Sequence, residues 1–485
     1  MSLDPTDWAA VRAVGRRMVD DMLDYQETVR ERPPWRPVPA EVRARLDEPV
    51  PLQGAALAEI YESFRHELPY PTGNIHPRFW GWVMGTGTPA GMLAEMLAAG
   101  MNAHVAGFDQ AASLIEKQVL KWLKSLMGFP EAASGLLVSG GTAANLNGLL
   151  AARAAKAGWD IREAGLHAGP PLTIYGSSET HSWASKACDT MGMGRAAFRQ
   201  VAADTNYRLD LTACRAKILA DRRAGLRPIA IIGNVGTVNT AAVDDLHGIR
   251  ALADELGLWF HIDGAFGSLA AWSDSRHLVA GQELADSIAF DLHKWGYMPY
   301  EVGVVLTQDA DAQLAAFGAH SDSAAYLLSL KQGVSADSTY FADRGLQLSR
   351  GFRALKVWMS MKEQGVARIG AAIQANIDQA RHLARRIEGE PRLELLAPVS
   401  LNTVCFRYAD GSVPRERLDA LNQEILTELQ LRGIAVPSQT VLGGRFALRV
   451  CITNHRSELS DFDALVEAVL ALGEEIMDQG TGALP

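Results

Sequence analysis

Cysteine is scarce in this chain: four in 485 residues, at positions 188, 214, 405 and 451, with no CxxC pair. That scatter disfavours a structural zinc site and a disulfide framework, and makes a reducing cytoplasm the simplest compartment. No apolar run reaches the roughly 18 residues of a membrane span. The opening residues, Met1-Ser-Leu-Asp-Pro-Thr-Asp-Trp8, lack the basic start and apolar stretch of a signal peptide. Lysine and arginine form no basic tail, and the net charge of −10 disfavours nucleic acid as a partner. There is no internal repeat and no low-complexity segment. What is present is an ordinary globular composition, 48% hydrophobic and 21% charged, long enough for more than one domain.

Residues 6–31 read as a helix, stopped by the adjacent prolines of Arg32-Pro-Pro-Trp-Arg-Pro37. Such an arm buries little by itself and is expected to lie against another subunit. From about residue 90 the pattern changes. Helical spacing at Ala90–Ala103, Ala111–Met127 and Thr142–Lys156 alternates with short apolar runs at Leu136–Ser139, Leu172–Gly176, Pro228–Asn234, Leu258–Asp263, Ser287–Phe290 and Val302–Thr307. That alternation predicts an α/β domain with a mostly parallel sheet covered on both faces. Gly351–Gln364 reads as a further long helix. Strands at Leu401–Tyr408 and Arg445–Cys451, with helices at Arg415–Arg432 and Asp461–Ile476, predict a separate α+β C-terminal domain. The expected division is an N-terminal helical arm over 1–88, a large domain over 89–370 and a small domain over 371–485.

The chemistry concentrates at the ends of the predicted strands, where ligands of such sheets bind. Leu258-Trp-Phe-His-Ile-Asp-Gly-Ala265 ends in a carboxylate, Asp263. About thirty residues on, Asp286-Ser-Ile-Ala-Phe290 runs into Asp291-Leu-His-Lys-Trp295. An acid and an amine at successive strand ends suit pyridoxal 5'-phosphate (PLP). Lys294 would bond to its aldehyde, and Asp263 would pair with its pyridinium nitrogen. A cleft that desolvates Lys294, next to a cationic cofactor, is expected to lower its pKa. Ala265 is small enough to lie against the ring. Ser139-Gly-Gly-Thr142 follows a strand and opens a helix, so Gly141 and Thr142 are candidate phosphate-binding residues.

With Gly135-Leu-Leu-Val-Ser-Gly-Gly-Thr-Ala-Ala-Asn145 included, the chain resembles the group II PLP-dependent amino-acid decarboxylases, from about His76 to Trp358. The resemblance implies PLP fold type I, aspartate aminotransferase-like. It implies loss of carbon dioxide from an L-amino acid, expected to be aromatic, in a homodimer that meets only its small-molecule substrate. It also implies residue roles. His181, in Ser178-Glu-Thr-His-Ser-Trp183, would stack on the cofactor ring. Ser287 and His293 would contact the phosphate, and Thr237 would pass close to the cofactor. Tyr326 would protonate the substrate's α-carbon. Trp80 and Trp82, in a His-Pro-x-Phe segment, would wall the substrate pocket. Arg350, Arg353 and Lys356 resemble a basic cluster of mainly structural role. One departure stands out: Asp291 occupies a position where animal aromatic decarboxylases carry Asn. A carboxylate beside a phosphate is unfavourable, so Asp291 must turn away or pair with a cation.

Four alternatives remain, one of them a catalytically inactive scaffold of the same fold, which would purify without yellow colour. On the same fold, a PLP-dependent aldehyde synthase is disfavoured by Tyr326 and His181. An aminotransferase is disfavoured by the His-Lys-Trp context of Lys294. A metal hydrolase using His261, Asp263 and His293 explains neither Lys294 nor the Gly-Gly-Thr loop, so no metal is expected.

Overall fold

The computed structural model describes residues 2–318, 332–336 and 339–481. Tyr326 lies outside these residues. The chain divides into two compact units.

The larger unit comprises residues 83–384 and 397–404. Its strands are β1 (Ser134–Val138), β2 (Leu172–Ser177), β3 (Phe198–Val201), β4 (Arg227–Asn234), β5 (Trp259–Asp263), β6 (Ser287–Asp291) and β7 (Gly303–Thr307), in the sheet order β1-β7-β6-β5-β4-β2-β3. The pairs β2–β3, β2–β4, β4–β5 and β5–β6 are parallel. Strand β7 runs antiparallel between β1 and β6. The sheet is therefore mostly parallel, as the alternation predicts, with one reversed strand. An apolar run reads the same in either direction, so the sequence pattern does not separate β7 from the others.

Strands β1, β2, β5, β6 and β7 are buried at every position. That is the reason they read as continuous apolar runs rather than as alternating ones. Helix Gly141–Lys156 contributes Leu149, Leu150, Ala151 and Ala152 to a core that also holds Ile174, Ile232 and Trp259. Because β1 and β6 run the same way on either side of β7, the C-terminal ends of β1, β2, β4, β5 and β6 share one edge. The helix expected at Gly351–Gln364 extends over Ala354–Glu388, interrupted at Gly365 (φ 70°). Strand β3 and the helices Leu211–Arg223 and Leu246–Leu256 were not anticipated. In β3, buried Phe198 and Val201 flank two less buried residues, too short a pattern to stand out.

The smaller unit holds residues 1–82, 385–396 and 405–485. It contains a sheet of order β10-β11-β9-β8, with β8 at Leu393–Leu395, β9 at Thr403–Tyr408, β10 at Ser438–Leu442 and β11 at Arg445–Cys451. The expected boundaries at 88 and 370 are revised. Arg30 Nη1 donates to Asp461 Oδ1 at 2.9 Å, and the Trp80 ring stacks on Phe462 with centroids 4.7 Å apart. These contacts place the N-terminal segment in one unit with the C-terminal sheet. Position 370 falls inside helix Ala354–Glu388. Among the described residues no helix is long and apolar enough to cross a membrane.

Candidate active site

Lys294 is set by a tight turn at the end of β6. Its N–H donates to Asp291 O at 3.3 Å, and Met298 N donates to Leu292 O at 3.1 Å. Two aromatic side chains fix the turn from below. Trp295 Nε1 and Tyr297 Oη both donate to Asn376 Oδ1, at 3.0 and 2.8 Å. Gly85 closes the other side: a Cβ there would fall 2.1 Å from His293 O and 2.3 Å from Lys294 O, so only glycine fits. Neither Asn376 nor Gly85 carries a signal in the sequence that marks it as part of a site.

Lys294 Nζ lies 2.8 Å from Asp291 Oδ2. Burial is the largest single influence on the ammonium and would lower its pKa. Asp291, joined by Asp263 and Tyr300, outweighs burial and raises it. The lowering expected beside a cationic cofactor is thus opposed, in the protein alone, by a paired carboxylate that desolvation does not offset. His293 Nδ1 lies 3.0 Å from Val302 O and accepts from Val302 N at 3.2 Å. Its ring lies 4.5 Å from that of Tyr300. Burial holds His293 below the ordinary histidine value, which leaves it neutral at pH 7.

Asp263 ends β5 and is buried. Trp183 Nε1 donates to its Oδ2, and Ala265 N donates to its Oδ1 at 3.1 Å. Both oxygens are thus oriented by short, rigid donors. His181 precedes helix Trp183–Thr190, and its Nδ1 accepts from Trp183 N at 3.2 Å. Desolvation, with the Lys294 charge, lowers its pKa against the opposing pull of Asp263. One imidazole therefore feels the charges of both predicted cofactor-binding residues.

The Gly140-Gly141 pair begins helix Gly141–Lys156. A Cβ on Gly141 would meet Asp291 Oδ2 at 2.9 Å and Ala265 Cβ at 3.7 Å. The helix start, Ala265 and the end of β6 therefore converge, and Thr142 is exposed beside them. Arg350 braces the strand leading into this loop. Its Nη2 donates to Leu137 O at 2.8 Å, its Nη1 to Val105 O at 2.6 Å, and it pairs with buried Glu116. Lys356 pairs with Glu95 at 2.6 Å and Arg353 with Glu301 at 2.9 Å.

Other expected residues lie elsewhere. Ser287 is the first residue of β6, at the strand end away from Lys294. Its Oγ is buried and accepts from Trp259 Nε1 at 2.8 Å, while His261 Nδ1 sits at the same distance. It is a core hydroxyl, and its assignment to the phosphate is corrected. His261 Nε2 is likewise engaged, 2.7 Å from Asn145 Oδ1, so the metal alternative gains no ligand there. Thr237 Oγ1 accepts from Ala242 N at 3.0 Å and lies 3.1 Å from Thr240 Oγ1, committed to its own loop. Trp80 is 1% exposed, and its Nε1 donates to Ser457 Oγ at 3.0 Å. It is a core residue of the smaller unit rather than a pocket wall. Trp82, 53% exposed, belongs to the same unit, and its carbonyl accepts from Arg449 Nη1 at 2.7 Å.

The donor set fits PLP. It supplies an amine for the aldehyde, a fixed carboxylate for the ring nitrogen, a small residue at Ala265, and a helix start kept open by glycine. The comparisons agree. Residues 39–409 match the pyridoxal-dependent decarboxylase conserved domain. The chain is 31% identical to an aromatic-L-amino-acid decarboxylase of Bacillus atrophaeus, over 96% of both chains. It is 29% identical to a phenylacetaldehyde synthase of Arabidopsis thaliana, over 93% of each. The crystal structure of Oryza sativa TDC with PLP and tryptamine superposes with a TM-score of 0.89 at 26% identity, covering 98% of this chain and 100% of that one.

Proposed function

This chain belongs to the pyridoxal-dependent decarboxylase family, with PLP fold type I and PLP as cofactor, and on that premise we propose how its residues divide the work on an aromatic L-amino acid. The enzyme is a PLP-dependent carboxy-lyase: it releases carbon dioxide from an amino acid and leaves the amine. When bound, PLP supplies an electron sink for the pair left at the α-carbon. In our reading Lys294 holds the cofactor covalently. Asp263 keeps the ring nitrogen protonated, and the donors Trp183 Nε1 and Ala265 N keep its carboxylate aimed. His181, held below the ordinary histidine value, would stack on the ring and offer an uncharged face to the carboxylate to be lost. The start of helix Gly141–Lys156, with Thr142 and His293, receives the phosphate.

The observation that carries this reading is the convergence of Lys294, Ala265 and the Gly141 helix start on one sheet edge, with Asp263 ending the neighbouring strand. Borohydride reduction of the PLP-loaded enzyme, followed by peptide mapping, tests it. Cofactor is expected on Lys294 alone, and Lys294→Ala should lose both visible absorbance and turnover. Cofactor on another lysine would overturn the assignment.

We further propose a homodimer. Helix Trp8–Glu27 buries no residue, and Trp8, Ile60 and Phe64 are each more than half exposed. Exposed apolar side chains of that kind, on helices Trp8–Glu27 and Leu57–Arg65, call for a partner surface. Sedimentation at micromolar concentration should give twice the chain mass, and a fully active monomer would refute the dimer. The four cysteines are buried and form no disulfide among the described residues, which supports a cytoplasmic location. An aldehyde synthase is the second reading, favoured by the phenylacetaldehyde synthase relative.

A further inference from the structure

Asp291 is 1% exposed, and its two oxygens differ sharply. Oδ2 pairs with Lys294 Nζ at 2.8 Å, whereas buried Oδ1 has no hydrogen-bond partner among the described residues. Backbone encloses the carboxylate on both sides. A Cβ on Gly141 would lie 2.9 Å from Oδ2, and one on Gly303 would lie 2.7 Å from Oδ1. The carboxylate therefore rests against the start of a 16-residue helix, where free N–H groups and the helix dipole favour an anion. That is also where the site described above would hold a phosphate. Two anions thus lay claim to one positive end.

We propose that Asp291 is an internal counter-anion: without cofactor it occupies the start of helix Gly141–Lys156 and holds the Lys294 ammonium, and on cofactor capture it takes that proton. The proposal rests on the reading that the phosphate sits at the Gly140–Thr142 turn. The step balances within the protein. One proton leaves Lys294 Nζ and lands on Asp291 Oδ2, so an ammonium and a carboxylate become an amine and a carboxylic acid. Each product suits the incoming ligand. The free lone pair on Nζ can attack a carbonyl carbon, and a neutral Asp291 no longer repels a phosphate dianion. Asp291 thereby acts on cofactor capture through charge, as a positioning residue.

The charged and titratable groups facing the pair come from several elements. His293 Nε2 lies 3.9 Å from Asp291 Oδ2. Tyr300, from the loop before β7, and Asp263, from β5, act on the Lys294 charge. Lys356 acts on His293, and His181 feels Lys294 and Asp263.

The test uses the full chain freed of cofactor, with Asp291→Asn and Asp291→Ala alongside the parent. Tryptophan fluorescence gives the dissociation constants of PLP and of pyridoxal, which lacks the phosphate. Both variants should favour PLP over pyridoxal by at least about tenfold more than the parent does, since neither has a carboxylate that must be neutralised before a phosphate can sit beside it. The pH midpoint for attachment of pyridoxal to Lys294 should also fall in both. Inorganic phosphate alone should raise the melting temperature of the variants more than that of the parent. An unchanged PLP-to-pyridoxal ratio would overturn the proposal. So would tightening in the Asn variant only, because that would reflect a gained amide donor. Borohydride mapping to a lysine other than Lys294 would instead sink the underlying site assignment, and the two failures are distinguishable.

Discussion

Trp295 Nε1 donates to Asn376 Oδ1 at 3.0 Å, in a site where both residues are buried. Tyr297 Oη shares the same acceptor. The turn that carries Lys294 is thus tied to helix Ala354–Glu388 through one amide oxygen. Asn376→Ala would remove the acceptor that both buried donors share, at a cost of about 1–3 kcal/mol. The expected result is a lower urea midpoint, with faster cofactor loss from the loaded enzyme. A variant with parental stability and parental cofactor retention would show that the turn holds without this acceptor.

The parts legible in the sequence share a physical cause. Strands buried on both faces appear as apolar runs, and the residues after them fall at the ligand-binding edge. Lys294, Asp263, Gly141, Ala265 and His293 are found there for that reason. Ser287 misled because it lies on the same strand as Asp291, and a likeness in sequence does not say which strand end a hydroxyl occupies. Trp80 misled because an indole in a core and one in a pocket are the same residue type; only the Phe462 stack and the Ser457 acceptor distinguish them. Asn376 and Gly85 were illegible because each acts through a contact distant in sequence. The pairing of Asp291 with Lys294 was one of two options the sequence left open, and the 2.8 Å separation selects it.

Asp263 offers a graded test. Asp263→Ala should still bind some PLP, yet its decarboxylation rate should drop by about two orders of magnitude or more, since the charge that keeps the ring nitrogen protonated is gone. Trp183→Phe keeps the carboxylate but removes its indole donor. Its loss should be smaller, about tenfold, and should fall on kcat rather than KM. Turnover near the parental value for Asp263→Ala would refute the pyridinium role.

Acid stability should depend on His261. Burial pushes its pKa down to about 4 from an ordinary 6.5. Between those values the unfolded chain binds a proton that the folded chain does not, so stability rises with pH across the window and is lost on acidification. The full shift corresponds to about 3 kcal/mol. His76 is shifted to about 4 for the same reason, burial, and adds in the same direction. Asp244, raised to about 6 by burial, opposes them, since its folded form gains protons first as pH falls. Urea midpoints measured from pH 7 to pH 4 should decline in the parent and decline less steeply in His261→Gln. Parallel slopes would mean that His261 is protonated in the folded state.

Tyr326 decides the reaction outcome in our reading, which here rests on family likeness because the residue lies outside the described part of the structure. After carbon dioxide departs, two fates compete at the α-carbon. Protonation gives the amine; reaction with dioxygen and water gives an aldehyde, ammonia and hydrogen peroxide. A phenol with an ordinary pKa of about 10 remains a proton donor at pH 7, and a positioned acid is worth roughly 10²–10⁴ in rate. That advantage is enough to make the amine the main product. Tyr326→Phe keeps the ring and removes the proton, so amine should fall while aldehyde and peroxide rise together. Assays under air that quantify all three products for both proteins check this. If the product ratio does not move, another group delivers the proton, and His181, which feels the charges of both Lys294 and Asp263, becomes the residue to replace next.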